Sequence, residues 1–529
     1  MRTIRVIAVL VSLSLAALAQ NRAERLEWFR DLGFGLFIHW SVDSQLGVVI
    51  SHSMVGASDD YLRRFVEDLP KTFNPHKFNP GDWAALAKLA GVRYVVFTAK
   101  HHSGFTMYRS ATTDFSIMNT PFHRDATAEV LRAFREQGIA PGLYFSPDDF
   151  WWLYKNGKTI QRGVPDVQPS NNPGLLKHDQ AQVRELLTQY GPVDVMFFDG
   201  EAEGLRDLAW QLNPNIVVTR GAIQTPEQYV PGVPLDGAWE SCITMGTAWQ
   251  YQPQNEIYKS GSQLISLLVE TRSKGGNLLL NIGPKPDGEL AIEQEERLRE
   301  LALWMFVNGE AIYGVRPWVI TNEGNIWFTR KKGTDTLYAV VKEPWKRGEW
   351  KDFMLRSVKS TGRTEITVLG QNDKIYEYQP NVVPKTTGQQ EADGLHIRAF
   401  RAQRLQDNSR WPNPAVLRIT GVEPALLPPQ VLTTNARWSG GTAVLEGELK
   451  AMGDSTVLDV GFEYRSLAGQ DTNERTEAWI ATPLERRTSV GTFSARVSLP
   501  RAGETYEYRA VVKHPLLMLY GAEKKFATK

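Results

Sequence analysis

The feature that most restricts how this chain can fold is a series of short apolar runs that each break into polar residues and are separated by helix-like stretches. Phe34–Ile38 runs into His39 and Trp40, residues 94–98 into Lys100, His101 and His102, and residues 143–145 into Ser146, Pro147 and Asp148. Residues 193–198 reach Asp199, 216–219 reach Arg220, and Ala238 with Trp239 reaches Glu240. Between them lie patterns of helical period, such as 82–90, with Trp83, Leu86, Ala87 and Ala90 on one face and Gly91 as the stop. Similar helices are expected at 126–137, 177–190, 205–212, 263–272 and 292–307. Strands alternating with helices from 21 to 313 predict a parallel α/β sheet closed into a (β/α)8-like, TIM-type barrel. In such a barrel the carboxyl ends of all strands open on one face, so polar residues distant in sequence converge there. With the glycine-led run at 275–284 the strands number seven, which predicts irregular closure.

The ends of the chain have a different texture. Arg2 and Arg5 precede an apolar run over 6–19 that closes on Ala17-Leu18-Ala19 before Gln20, the arrangement of a cleavable export signal. Residues 1–19 are therefore expected to be a signal peptide and the protein to be secreted or periplasmic, with the barrel over 20–316. Past Pro317, alternation such as Thr336-Leu337-Tyr338-Ala339-Val340-Val341 predicts an antiparallel β-sandwich over 317–410. A break at Trp411-Pro412-Asn413-Pro414 opens a second β module over 411–529, of fibronectin type III or immunoglobulin-like size and texture. The only cysteine is Cys242, so no disulfide forms within the chain. Sixty Lys and Arg against 59 Asp and Glu leave a net charge of +1, which provides no overall pull toward nucleic acid or an anionic membrane surface. No later stretch is apolar enough for membrane insertion, and the oligomeric state is left open.

The barrel segment resembles the α-L-fucosidases of glycoside hydrolase family 29. The resemblance rests on Gly35-Leu36-Phe37-Ile38-His39-Trp40, Ala99-Lys100-His101-His102-Ser103-Gly104-Phe105, Phe197-Phe198-Asp199-Gly200, Trp239-Glu240 and Gly275-Gly276-Asn277-Leu278-Leu279-Leu280-Asn281-Ile282-Gly283-Pro284. It implies an exo-acting retaining hydrolase that removes terminal α-L-fucose from a fucosylated oligosaccharide or glycoconjugate through a covalent fucosyl-enzyme, with no cofactor and no metal. By the match to Phe-Asp-Gly, Asp199 is the expected nucleophile. Retention asks for a second carboxyl group ~5 to 5.5 Å away to protonate the leaving oxygen. Glu240, at the end of a separate apolar run, is the expected acid/base; Glu201 follows Asp199 too closely to serve as well. The resemblance further implies sugar-binding roles for His39, His101, His102, Tyr144, Phe197, Arg220 and Trp249. The family's glutamate in the first excursion is missing, and Asp60 is the loose substitute.

Two other functions compete. A metal-dependent barrel hydrolase would use His39, His101, His102 and Asp199 as ligands, although adjacent histidines on one strand point to opposite faces unless the strand has already ended. A catalytically inactive fucoside-binding protein would bind the same sugar without turnover.

Overall fold

The computed structural model describes residues 20–254, 256–377, 379–402, 413–467, 478–499, 502–514 and 518–529. The expected leader at 1–19 and the break at Trp411-Pro412 lie outside them. The first unit runs α1 (Ala23–Leu32), β1 (Phe34–Ile38), α2 (Asp59–Glu67), α3 (Pro80–Leu89), β2 (Tyr94–Lys100), α4 (Ala126–Glu136), β3 (Ala140–Phe145), α5 (Phe150–Lys155) and α6 (Pro173–Gln189). It continues with β4 (Val195–Phe198), α7 (Leu205–Leu212), β5 (Val217–Val218), β6 (Glu240–Thr244), α8 (Gly261–Ser273), β7 (Asn277–Ile282) and α9 (Ile292–Asn308). The seven strands form one curled parallel sheet in the order β5-β4-β3-β2-β1-β7-β6. The gap between its edges is bridged by the segment after β5, where Gln224 pairs with Trp239 and Glu227 with Cys242.

Every residue of β1, β2, β4, β5, β6 and β7 is buried. Strands covered on both faces are apolar nearly throughout, which is why the runs stood out against the helices. The lumen is filled by alternate residues, among them Phe37, Tyr94, Val96, Tyr144, Val195, Phe197, Cys242 and Leu279. A larger apolar cluster packs the outer face against α3, α4, α8 and α9.

Trp151 and Trp152 lie in the helix α5, where the Asp149 carboxylate accepts the Trp152 N–H at 2.7 Å and caps it. The apolar run Ala238-Trp239, expected to end a strand at Glu240, instead precedes one: β6 begins at Glu240 and continues through Ser241, Cys242 and Ile243 to Thr244.

The second unit contains β8 (Val315–Glu323), β9 (Ile326–Lys331), β10 (Leu337–Val341), β11 (Trp350–Leu355), β12 (Val358–Val368), β13 (Thr387–Glu391), β14 (Gly394–Phe400) and β15 (Ala415–Pro424). Its five-stranded sheet β12-β15-β10-β9-β8 and three-stranded sheet β11-β14-β13 enclose a shared core. Since β15 pairs with both β10 and β12, this unit reaches Pro424, and the expected boundary at 410 moves by one strand. The third unit has β16 (Gln430–Ser439), β17 (Thr442–Ala451), β18 (Leu458–Ser466), β19 (Ile480–Ala481), β20 (Glu485–Arg487), β21 (Gly491–Ser498), β22 (Thr505–Lys513), β23 (Met518–Tyr520) and β24 (Lys524–Ala527). The sheet β16-β17-β21 faces the sheet built on β18 and β22 across a core of Leu445, Val460, Phe462, Phe493 and Ala510.

A buried ionic cluster ties the mouth of the barrel together. Lys100, the last residue of β2, donates to Asp149 at 3.1 Å and to Asp179 of α6 at 2.8 Å, with all three side chains fully buried. Burial, together with the neighbouring Asp149 charge, pushes the Asp179 carboxyl up to about 8. Asp149 moves the other way: burial alone would raise it, but Lys100 and His178 bring it well below the usual range. One ammonium thus faces one carboxylate and one carboxylic acid, which keeps the cluster neutral. Replacing Lys100 by Met leaves the Asp149 charge buried without its ammonium partner, and should cost roughly 3–5 kcal/mol of unfolding free energy in a denaturant titration. A loss below 1 kcal/mol would contradict this account of the cluster.

Candidate active site

Asp199 follows β4 directly, and its N–H donates to the Phe145 carbonyl at 3.0 Å, which fixes where the side chain starts. The chain then turns away through Gly200 at φ +150, where a Cβ would stand 3.0 Å from Asp148 Oδ1. The Asp199 carboxylate accepts the Tyr144 hydroxyl at 2.7 Å on Oδ2 and Arg220 Nη1 at 2.8 Å on Oδ1. His102 Nε2 stands 3.3 Å from Oδ2. Burial alone would raise this carboxyl, but His102, Arg220 and Tyr144 together hold it well below the ordinary range. Asp199 is therefore a fixed anion.

It opens into a cavity of about 130 Å³, smaller than the roughly 300–1,000 Å³ of pockets for drug-sized ligands. Phe37, Phe197 and Trp249 supply apolar walls, and Arg220 lies 4.8 Å over the Phe197 ring. His101 stacks on Tyr144 with ring centres 4.9 Å apart. Burial pushes the His39 imidazole down to about 3 and takes His101 well below its usual value, so both are neutral. The His39 tautomer follows from its neighbours. Asn281 Nδ2 donates to the Trp249 carbonyl at 2.6 Å, so Asn281 Oδ1 must accept from His39 Nδ1 at 2.6 Å, which leaves Nε2 as the acceptor. His102 does not line the cavity; it stands behind Asp199, with Ser146 and Asp148 at its other nitrogen. β2 ends at Lys100, so the two histidines lie beyond the strand and both turn toward Asp199.

The cavity holds a second carboxylate that the sequence reading missed. Glu227 Oε2 accepts Arg220 Nη2 at 2.8 Å, so one guanidinium binds Asp199 through Nη1 and Glu227 through Nη2. Two such bonds on neighbouring nitrogens keep the facing carboxylate oxygens within roughly 8 Å. Glu227 lies in the segment between β5 and β6 and carries no strand pattern of its own. The available signal was a carboxylate eight residues beyond the apolar run that ends at Thr219, in the loop where barrel sites are built.

Glu240, by contrast, is not at the mouth. It is the first residue of β6, level with Asn277 at the start of β7, and its carboxylate accepts the Tyr94 hydroxyl at 2.7 Å. Cys242, two residues later on the same face, lines the cavity, so Glu240 sits one layer below the floor, roughly 7 Å down the strand. It is fully buried and lines no part of the cavity. Asp60 is not a substitute for the family's glutamate either: it is exposed on α2 and paired with Arg63 and Arg64. From that excursion Ser51 lines the cavity, and Arg162 joins it from the loop after α5. Glu201 turns outward to accept the Ser170 N–H at 3.0 Å.

A larger cleft of about 1090 Å³ lies beside α3 and the start of α9, away from Asp199 and the histidines. His101, His102 and Asp199 present ligand atoms within 4.8 Å of one another, which brings together three of the four residues the metal reading named and leaves out His39. Arg220 already places a permanent cation on the same carboxylate, and a divalent ion there would face its repulsion.

Residues 14–310 match the family model described as alpha-L-fucosidase. An alpha-L-fucosidase of Branchiostoma floridae is 31% identical over 395 residues, covering 65% of this chain and 84% of that relative. The solved alpha-L-fucosidase isoenzyme 1 of Paenibacillus thiaminolyticus superposes with a TM-score of 0.61 at 27% identity, over 76% of this chain and 99% of its own. The alpha-L-fucosidase of Vibrio sp. strain EJY3 has the same fold over 96% of this chain and 98% of its own, with a TM-score of 0.64 at 20% identity.

Glu240 gives a prediction that depends on its place below the floor. Burial pushes its carboxyl up to about 7, with the Tyr94 and Thr219 hydroxyls offsetting part of the effect. A folded-state value above the unfolded one means its contribution is complete below about pH 4.5 and is lost as pH rises through 7. Glu240→Gln mimics the protonated form, so the variant should match wild type at pH 5. At pH 8 it should exceed wild type by up to about 3 kcal/mol in denaturant unfolding. An equal difference at both pH values would contradict the assignment.

Proposed function

The chain belongs to the alpha-L-fucosidase family, and from that premise we propose that its exo-acting, retaining chemistry is divided between Asp199 as nucleophile and Glu227 as acid/base. The observation that carries the assignment is the shared guanidinium: Arg220 holds both carboxylates at 2.8 Å at the edge of a cavity sized for one sugar ring.

In the first step an Asp199 oxygen forms a bond to the anomeric carbon of a terminal α-L-fucose. The bond to the leaving oxygen breaks, and Glu227 gives that oxygen its proton. In the second step Glu227, now a carboxylate, takes a proton from water as the water attacks the fucosyl ester from the opposite face. Fucose leaves with its original anomeric configuration. Arg220 keeps a charged partner while the charge passes from Asp199 to Glu227 and back.

The other cavity residues read the sugar. Neutral His39 and His101 can exchange hydrogen bonds with hydroxyls without attracting a counter-ion, and the Phe37, Phe197 and Trp249 surfaces suit the methyl group and apolar face of a deoxysugar. His102 acts through Asp199, which it abuts from behind. A fucosylated oligosaccharide or glycoconjugate fits the small cavity, because only its terminal residue needs to enter and the remainder lies outward past Ser51 and Arg162. The leader pattern at 1–19 supports delivery to the periplasm or the exterior. A fibronectin type III-like identity for the last unit is supported by its sheet pairing, β16-β17-β21 against strands flanking β18 and β22.

Asp199→Ala should lower kcat on an aryl α-L-fucoside by more than about 10³-fold, and azide should restore part of it as a product of inverted configuration. Near-normal turnover in that variant would overturn the nucleophile assignment. Glu227→Gln should slow fucosylated oligosaccharides by roughly 10²–10⁴-fold. For fucosides of acidic phenols, which leave without a proton, it should spare kcat/KM while kcat falls because the second step still needs the base, whereas equal losses of kcat/KM on both substrates would refute the acid role. A chelator should leave turnover unchanged; abolition by chelation and recovery with zinc would instead favour the metal-dependent hydrolase.

A further inference from the structure

The segment between β5 and β6 reaches the cavity at Glu227, and the way it is held differs on its two sides. On the inner side the Gln228 N–H donates to the Cys242 carbonyl at 2.9 Å. Gln228 Oε1 accepts the Thr244 N–H at 3.2 Å and the Thr244 hydroxyl at 3.1 Å. Gln228 has φ +62, a left-handed conformation that costs a non-glycine residue on the order of 1 kcal/mol and persists only where the surroundings impose it. Farther along, Lys274 Nζ donates to the Pro231 carbonyl at 2.5 Å.

On the outer side the segment is covered by the last β unit. A Cβ on Gly232 would stand 2.2 Å from Glu523 Oε1 and 3.0 Å from Arg509 Nη1, so the Gly232 backbone lies directly against this pair. Arg509 binds Glu523 at 3.3 Å and Glu463 at 2.7 Å. Its guanidinium also covers the Tyr520 ring at 3.9 Å and the Trp479 ring at 4.2 Å. All three charged side chains are largely buried, so the patch is a packed contact rather than a solvated edge. The same unit is anchored nearby through Leu519, which packs on both its own core and that of the second unit. A strained backbone next to the acid, with a charged and aromatic clamp five residues away, is what a positioned proton donor needs: a misplacement of about 1 Å in such a group can cost ~10²-fold in rate.

We propose that the terminal β unit is part of the catalytic apparatus, with Arg509 and Glu523 acting as positioning residues that hold the Glu227 segment at Gly232. The proposal rests on Glu227 being the acid/base. The clamp touches neither sugar nor reacting atoms and acts by limiting where Glu227 can stand when the leaving oxygen needs its proton.

The test compares full-length Glu523→Ala and Gly232→Leu with Glu227→Gln on two substrates, a fucosylated oligosaccharide and a fucoside of an acidic phenol. Both clamp variants should lower kcat on the oligosaccharide by about 10- to 100-fold, leave its KM within about twofold, and keep kcat/KM on the acidic-phenol fucoside, which reports the first step alone, within about twofold. Glu523→Gln, which preserves the shape against Gly232, should recover most of the loss. Gly232→Leu displaces the segment from the barrel side without removing a contact from the β unit, so it keeps the test open if Glu523→Ala fails to fold. Clamp variants that slow both substrates equally, or neither, would overturn the proposal. If Glu227→Gln itself fails to separate the two substrates, the acid/base assignment falls first and the clamp loses its function with it.

Discussion

One guanidinium organises this site. Arg220 emerges where β5 ends and contacts Asp199 and Glu227 through its two terminal nitrogens, each at 2.8 Å. A planar fork can hold two carboxylates at a defined separation, which a lysine, with a single charged atom on a flexible stem, cannot do. The rest of the fold serves that placement. Tyr144 fixes the other oxygen of Asp199, the lumen aromatics support Arg220 from below through Phe197, and the ionic cluster on Lys100 ties down the loops that carry the histidines. Arg220 also explains how two acidic groups coexist beside each other in a small cavity, since the pair never has to carry both charges against an empty background.

Much of this could be read from the residues, for a specific physical reason. Parallel strands buried on both faces are apolar over their length and turn polar where they leave the sheet, so the runs ending at His39, His101, Asp199 and Arg220 marked one face of one sheet without any coordinates. The same rule failed at Glu240, because there the apolar pair Ala238-Trp239 precedes the strand rather than ending it. An offset of a few residues moved a carboxylate from the mouth to the layer under the floor. Desolvation at that depth produces a raised carboxyl, which resembles the signature of a catalytic acid. Geometry separates the two: Glu240 faces Tyr94 and no cavity. Glu227 stayed hidden for the opposite reason, since it lies on an irregular segment placed by one bridge to Trp239, one to Cys242 of β6, and contacts from another unit, none of which leaves a local pattern.

The division of the chain was also only partly visible. A tryptophan and two prolines at 411–414 read as a linker, yet Ala415–Pro424 returns to complete the sheet of the second unit. Pairings between strands far apart in sequence are set by where the chain returns, and composition carries no record of that. Val340 and Val416 of the second unit belong to the main core of the first, and Trp304 donates to the Pro414 carbonyl at 2.8 Å. A chain without disulfides thus joins its units by shared apolar surface, and its last unit reaches the irregular segment that carries Glu227.

The central claim is that Asp199 forms a bond to the sugar. Incubation with a 2-fluorinated fucosyl fluoride, which forms the ester quickly and hydrolyses it slowly, followed by proteolysis and mass spectrometry, tests it directly. The account predicts one fluorofucosyl mass increment, on the peptide containing Asp199 and on that side chain. An increment on Glu227, Glu240 or any other residue, or inactivation with no covalent increment, would contradict it.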